Sequence, residues 1–366
     1  MLTATTTEQR QIATSRLNRY IAEGQQRAVQ IADRIVREVP VDYLAPASRI
    51  GVEPTTTGDK GISLVLQGRD GQTVRTSVGR YALGQLAEQC KMRMDYVDHL
   101  IGAGEWGREL LARNLQDGIV LGHDGSRYLV RAVGGQARGF LSNKFRRLDA
   151  RPILDDLVGE AQRAGAIVVD GVMSEVRCEM KFIVPRILEP APGEFMVFGF
   201  AWGTSNYGAG ANWMRAFANR LACFNGVTME QNLRQVHIGR ALSESDFEFS
   251  DRTMQLDTET ARSATRDVAR LLLSDAKIAA TADTITRAHR NGIDPTATLA
   301  SLKKKVSKRD SEAIATAFNS PDVVELPAGN TMWRFSNAIS LVARDTTDAE
   351  NKLDLERLAG DVLKAA

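Results

Sequence analysis

Cysteine is scarce: the 366 residues hold three, Cys90, Cys178 and Cys223, odd in number and far apart. That excludes a disulfide framework, gives no zinc-ligand spacing and fits a reducing interior. The four histidines (His99, His123, His237, His289) form no HExxH and have no partner at metal-ligand spacing. His123 falls in a turn signal and reads as a solvated turn residue. No GxSxG elbow occurs and no cysteine lies in a nucleophile signature, so acyl transfer lacks its parts. Gly-Lys-Ser/Thr is absent, so no P-loop can be drawn. No apolar run approaches the ~18 residues that span a bilayer. The polar start, MLTATTTEQRQIATSRLN, lacks the apolar stretch of a signal peptide. Net charge is missing too: 47 Lys and Arg against 45 Asp and Glu leave +2, with no global basic field. The expectation is a protein without cofactor, metal or membrane span.

What is present is an ordinary globular composition, 43% hydrophobic and 25% charged, long enough for one large domain or two ordinary ones. Residues 8–38 carry Ile12, Leu17, Ile21, Ala28, Ile31 and Ile35 at helical spacing, as one amphipathic helix or two broken near Gly24. Pro40, Pro46 and Pro54 mark 39–60 as a connection. ISLVLQGRDGQTVRTSV reads as a hairpin about Asp70-Gly71, and GIVLGHDGSRYLVRAVGG as another about Asp124-Gly125. Helices are predicted between these hairpins, to about 115, and over 150–164. Strands follow in AIVVDG, SEVRCEMKFIVPRIL and GEFMVFGFAWGTS, the last two turning at Pro190–Gly193. ANWMRAFANRLACFNG reads as a helix stopped at Asn225-Gly226, and most of the chain from 245 onward is helical. Strands clustered between 60 and 205 with helices at both ends predict an α+β fold. Its expected form is a central antiparallel sheet of hairpins with a β-β-β-α-like core. The divisions are 1–55 (helix and linker), 56–240 (α+β core) and 241–366 (mostly helical).

Three patterns carry chemistry. Asn206-Tyr207-Gly208-Ala209-Gly210 precedes the predicted helix, so Asn206, Gly208 and Gly210 could offer backbone N–H groups to a phosphate, or serve the turn alone. Asp170 followed by Glu179-x-Lys181 has the minimum layout of a Mg²⁺-dependent nuclease, and is equally an alternating polar strand face. Finally, bases are bunched. Residues 131–151 hold six (Arg131, Arg138, Lys144, Arg146, Arg147, Arg151) against Asp149, and 287–309 hold seven, including Lys303, Lys304, Lys305 and Lys308, against Asp294. Such segregation can make a basic stripe on a neutral protein. Phe140, Phe145, Tyr207 and Trp213 lie near enough in sequence to stack bases of a single strand, with Phe140 and Tyr207 foremost.

GRYALGQLAEQ, GFLSNKFRRLDARPILDDL, FGFAWGTSNYGAGANWMRAFANRLACFNGVT and TMWRFSNAISL occur in that order. Together they resemble a phage- and plasmid-borne family known only as a domain of unknown function. The likeness spans about 78–345. Its marks are Leu141-Ser142 to Leu148-Asp149, the turn Thr204–Ala211, the run Leu221, Cys223, Asn225, Gly226, and Trp333, Asn337, Ala338. Members often follow the last with an Asp-His pair, where this chain has Leu341–Asp345 and no histidine. The resemblance implies mobile DNA in a bacterial cytoplasm. The strand pair, glycine turn and basic helix are further similar to single-strand annealing proteins of the Red-beta/RecT and ring-forming kinds.

Annealing needs a groove that holds phosphates and leaves bases free, with no nucleophile, metal or nucleotide. The lead expectation is therefore a non-catalytic, homo-oligomeric single-stranded DNA binder, forming a ring or filament. Arg138, Lys144, Arg146, Arg147, Arg215 and Arg220 would grip the backbone, with Lys303 to Lys308 as a second contact. The alternatives are a host-factor interaction protein that touches no DNA, and the nuclease on Asp170, Glu179 and Lys181.

Overall fold

A computed structural model describes residues 6–56, 61–68, 71–122, 127–222, 225–235, 250–302, 305–319 and 326–365. The chain begins with α1 (Thr6–Arg37), one unbroken helix that buries Ala13, Leu17, Tyr20, Ala28 and Ile35. Gly24 does not break it. A Cβ there would lie 1.6 Å from the Val169 carbonyl oxygen, so the missing side chain lets the helix press onto a strand backbone.

The first sheet contains β1 (Val41–Pro46), β2 (Ile50–Pro54), β3 (Ile62–Gln67), β4 (Thr73–Val78), β5 (Arg127–Val133) and β6 (Gln136–Ser142). Its order is β1-β5-β6-β4-β3-β2, antiparallel except where β4 meets β6. Between β4 and β5 come α2 (Arg80–Gln89), α3 (Met94–Gly102) and α4 (Glu105–Gly122), which bury Leu83, Leu86, Val97, Leu115 and Ile119 against Ile62, Leu64, Val130 and Phe140. The expected connection 39–60 thus supplies two strands. Pro46 and Pro54 close the two edge strands, where a missing N–H is tolerated. The 118–120 segment, expected as a strand, ends α4. The hairpin turns instead at Gly134-Gly135, both at positive φ (56° and 80°). His123, Asp124 and Gly125 lie outside the described residues.

The second sheet follows α5 (Ala150–Arg163) as an antiparallel meander: β7 (Ile167–Met173), β8 (Cys178–Leu188), β9 (Met196–Thr204), β10 (Asn212–Arg220) and β11 (Asn225–Gln235). Residues 212–220, expected as a helix, form β10, so the glycine turn leads into a strand and the β-β-β-α continuation is replaced by β-β-β-β-β. One face packs Met180, Phe182, Phe200, Trp202 and Met214 on α5 and on α6 (Asp251–Leu273). The Phe182 and Phe200 rings stack at 4.5 Å. Further along, Met196, Phe198, Ala218 and Met229 join a core with α7 (Asp275–Arg290), α9 (Lys308–Asn319), α10 (Met332–Asp345) and α11 (Ala349–Val362). The short α8 (Pro295–Ser301) links α7 to α9.

The opposite face meets α1 through Val169, Ile183, Val197, Ala201 and Phe217. Beyond α1 it meets α11, whose Gly360 approaches the Thr228 carbonyl so closely that a Cβ would lie 1.5 Å away. The architecture is α+β, with one mixed and one antiparallel sheet and helices at both ends. Among the described residues no helix is long and apolar enough to cross a membrane.

Candidate nucleic-acid interface

Half of the first basic block is turned inward, while Lys144 and Arg151 are exposed and the Arg147 side chain is 41% exposed. Arg131 is buried on β5, bonding Asp42 Oδ1 at 2.7 Å, Asp149 Oδ1 at 2.7 Å and the Asn206 carbonyl at 2.8 Å. Arg138 pairs with Glu38 at 2.5 Å and Arg147 with Asp42 at 3.1 Å, while Arg146 grips Asp257 of α6 through Nε and Nη2. These arginines tie β5 to β1, β6 to the residue that follows α1, and the segment before α5 to β1 and α6, and do not form one outward stripe. Lys144 alone of the four proposed in this block is exposed without a recorded partner. In the second block Lys305 and Lys308 are exposed, Lys308 lying 4.0 Å from Glu312. Lys303 and Lys304 lie outside the described residues.

The two stacking candidates are core residues. Phe140 is buried and stacks on Tyr128 at 4.7 Å, and Tyr207 is buried beside Arg138. Arg220 is sealed by Glu194, with bonds of 2.5 and 2.9 Å, and Glu194 also accepts from Trp333 Nε1 at 3.2 Å. On a strand, Arg215 and Arg220 point to opposite faces, so they cannot grip one backbone together.

The Asn206–Gly210 turn is chiefly a clamp between the sheets. Asn206 Oδ1 accepts from the Ala150 N–H at 2.8 Å, capping α5, whose own Asp149 makes no side-chain cap. Ser205 Oγ accepts from the N–H groups of Tyr207 and Ala209, and Gln85 Nε2 donates to the Tyr207 carbonyl at 2.9 Å. Gly208, at φ 83°, sits against Leu141 and Gln85. Gly208 and Gly210 are exposed, and the far end of the turn, Ala209 to Ala211, borders open space.

That space is a cleft of about 230 Å³ on the α11 side of the second sheet. Four arginines converge on it from four places in the chain: Arg177 before β8, Arg215 on β10, Arg234 on β11 and Arg357 on α11. The floor exists because β9 presents only small residues here. Gly203 lies between Glu179 and Trp213, and Ala201 between Lys181 and Arg215. A Cβ on Gly203 would strike the Trp213 ring at 2.5 Å, so the indole lies flat across the strand. The Arg215 guanidinium sits 5.5 Å from that ring's centre, and Asp361 is 3.5 Å from Nη1. Burial holds the Arg215 pKa below the usual guanidinium value. At the rim Arg177 pairs with Glu350 of α11, and Arg357 with Asp354 at 3.1 Å. Arg234 is exposed. The exposed Arg357–Asp354 pair is worth about 0–1 kcal/mol, so an incoming anion exchanges with it at little cost, whereas Arg177–Glu350 is half-buried.

Behind the floor lies a buried charge cluster. Lys181 Nζ is 2.6 Å from Glu356 Oε2 and 3.7 Å from Glu179 Oε1, with both glutamates and the lysine largely out of solvent. One cation between two carboxylates leaves one negative charge too many. Burial chiefly pushes Glu179 up to about 8, with Glu356 and Asp170 adding to it. Asp170 itself is turned to Arg27 at 3.0 Å. The lysine occupies the point where a nuclease's carboxylates would converge, and among the described residues no His, Cys, Asp or Glu group is arranged to hold a metal.

The sequence marks at 333–338 are packing devices. Trp333, Asn337 and Ala338 are buried in α10, and Ser336 and Ser340 bond the carbonyls of Ala359 and Gly226. Cys223 lies outside the described residues. No family model, no curated protein and no solved structure matches the chain.

Proposed function

We propose that this protein binds single-stranded DNA, holding backbone phosphates on Arg177, Arg234 and Arg357 around a floor that carries Arg215, and not on the 131–151 block. The observation that carries the proposal is the convergence of four arginines on one cleft, while Arg131, Arg138 and Arg146 of the bunched bases are turned to partners within the fold. Holding a strand requires phosphate contacts, an aromatic surface and room for a base, and the cleft offers arginine, Trp213 and about 230 Å³. The mobile-DNA setting comes from the family resemblance.

Binding of a labelled oligo(dT) followed by fluorescence anisotropy tests this. Three neutralised phosphates on a single strand give a slope of about −2.1 in log K against log salt, and removing Arg234 and Arg357 together should bring it to about −0.7. Equal slopes for the parent and the double variant would remove the cleft from the interface.

An annealing role carries with it a ring or filament of copies. Val29, 59% exposed on α1, borders an apolar groove of about 430 Å³ lined by Ala32, Leu154 and Val158. The same groove favours a second reading, an interaction protein that binds a host factor without DNA. Light scattering of the Val29→Glu variant separates them: loss of a large oligomer supports self-assembly, and an unchanged monomer favours the host-factor reading.

A further inference from the structure

The cleft floor holds two buried polar atoms without a hydrogen bond, Glu179 Oε1 and Arg215 Nη1. Their side chains are only 3% and 9% exposed, and both residues line the cavity. A buried polar atom without a hydrogen bond costs about 1–3 kcal/mol, and each of these has only a longer charged neighbour, Lys181 Nζ at 3.7 Å from Oε1 and Asp361 at 3.5 Å from Nη1, so two in one cavity point to a ligand that answers both. One is an acceptor on β8 and the other a donor on β10, on either side of the small residues Gly203 and Ala201 of β9. A phosphate answers only the donor and would be repelled by the carboxyl oxygen. A ligand edge with an acceptor beside a donor answers both.

From this juxtaposition we propose that the floor is a base-reading site, which takes one nucleobase of the bound strand and prefers guanine. Arg215 donates to guanine O6, and Glu179, ionised above its pKa of about 8, accepts from N1–H and the 2-amino group. Trp213 borders the same space, and Arg177, Arg234 and Arg357 stand at the rim, where the phosphates flanking an inserted base would run. A cavity of about 230 Å³ admits a base and leaves its backbone outside. The inference rests on the strand-binding reading above and adds sequence preference to it.

The test compares oligo(dT) with the same strand carrying one central dG, dI, dA or dC, each titrated against the full chain. A good two-point base contact discriminates by about 1–3 kcal/mol, or roughly 5- to 150-fold. The dG strand should bind at least about fivefold more tightly than oligo(dT). Inosine lacks the 2-amino group and should fall between them, an arm that needs no variant. Glu179→Gln and Arg215→Met should each bring the dG-to-dT ratio to about one. Equal affinity for all five strands, with the arginine-dependent salt slope intact, overturns base reading and leaves strand binding standing. A preference for dA or dC overturns the guanine assignment. Failure to bind any strand overturns both.

Discussion

Replacing Lys181 with methionine removes the one cation that balances Glu179 and Glu356 while keeping much of the side chain's volume. The ammonium lies 2.6 Å from one carboxylate and 3.7 Å from the other, and 5.6 Å from the centre of the Phe217 ring. Methionine retains the apolar contact, so the change isolates the charge. Breaking a buried pair by removing one partner costs about 3–5 kcal/mol, since the other charge stays buried. With a urea dependence of roughly 3 kcal/mol per M, the unfolding midpoint should fall by about 1–1.5 M at pH 8. In acid the stranded carboxylates take up protons, so the loss at pH 5 should be visibly smaller. Adding Glu356→Gln should restore most of the midpoint. An equal loss at both pH values, or no rescue by Glu356→Gln, would refute the reading of the cluster as one lysine shared by two acids.

Glu179 gives a second pH test. Its folded-state pKa of about 8 exceeds its ordinary 4.5, so the folded chain binds the extra proton. Its stabilising effect is complete below about 4.5 and is lost as pH rises through about 8. Glu179→Gln should flatten the urea midpoint against pH over that window, and an unchanged slope would count against the shift. Gly24→Ala forces a methyl into the Val169 carbonyl and should lower the midpoint by an amount matching 1–3 kcal/mol of overpacking or more. A neutral effect would mean that α1 is free to move off β7. Asp257→Ala should loosen α6 by freeing Arg146, raising amide exchange in 251–273 while leaving the first-sheet helices unchanged.

Much of the fold was legible because period and turn chemistry agreed. The long N-terminal helix, the hairpin at Gly71, the turn at Pro190–Gly193 and the closing helix all fall where their residues place them. β10 did not, and the reason is burial on both faces. Met214, Ala216 and Ala218 pack to one side and Phe217 to the other, so no polar-apolar alternation marks the strand. Alanine, methionine and arginine then suggest a helix.

The basic block misled for a different reason. Arg138 meets Glu38 across 100 residues and Arg146 meets Asp257 across 111, partners that no local count of charge can see. Conversely Arg177, Arg234 and Arg357 stand in no cluster and converge only through the meander and α11. The available signal was the small-residue alternation Gly199, Ala201, Gly203 on β9, which leaves room on one face for charged neighbours.

The decisive comparison is single-stranded DNA affinity at about 50 and about 200 mM salt for the parent, for Arg234→Ala with Arg357→Ala, and for Lys144→Ala. If the cleft is the interface, the double variant loses affinity and about two-thirds of the salt dependence, and Lys144→Ala changes neither much. A loss for Lys144→Ala with the double variant unaffected would contradict it and return the interface to the block that the sequence first suggested.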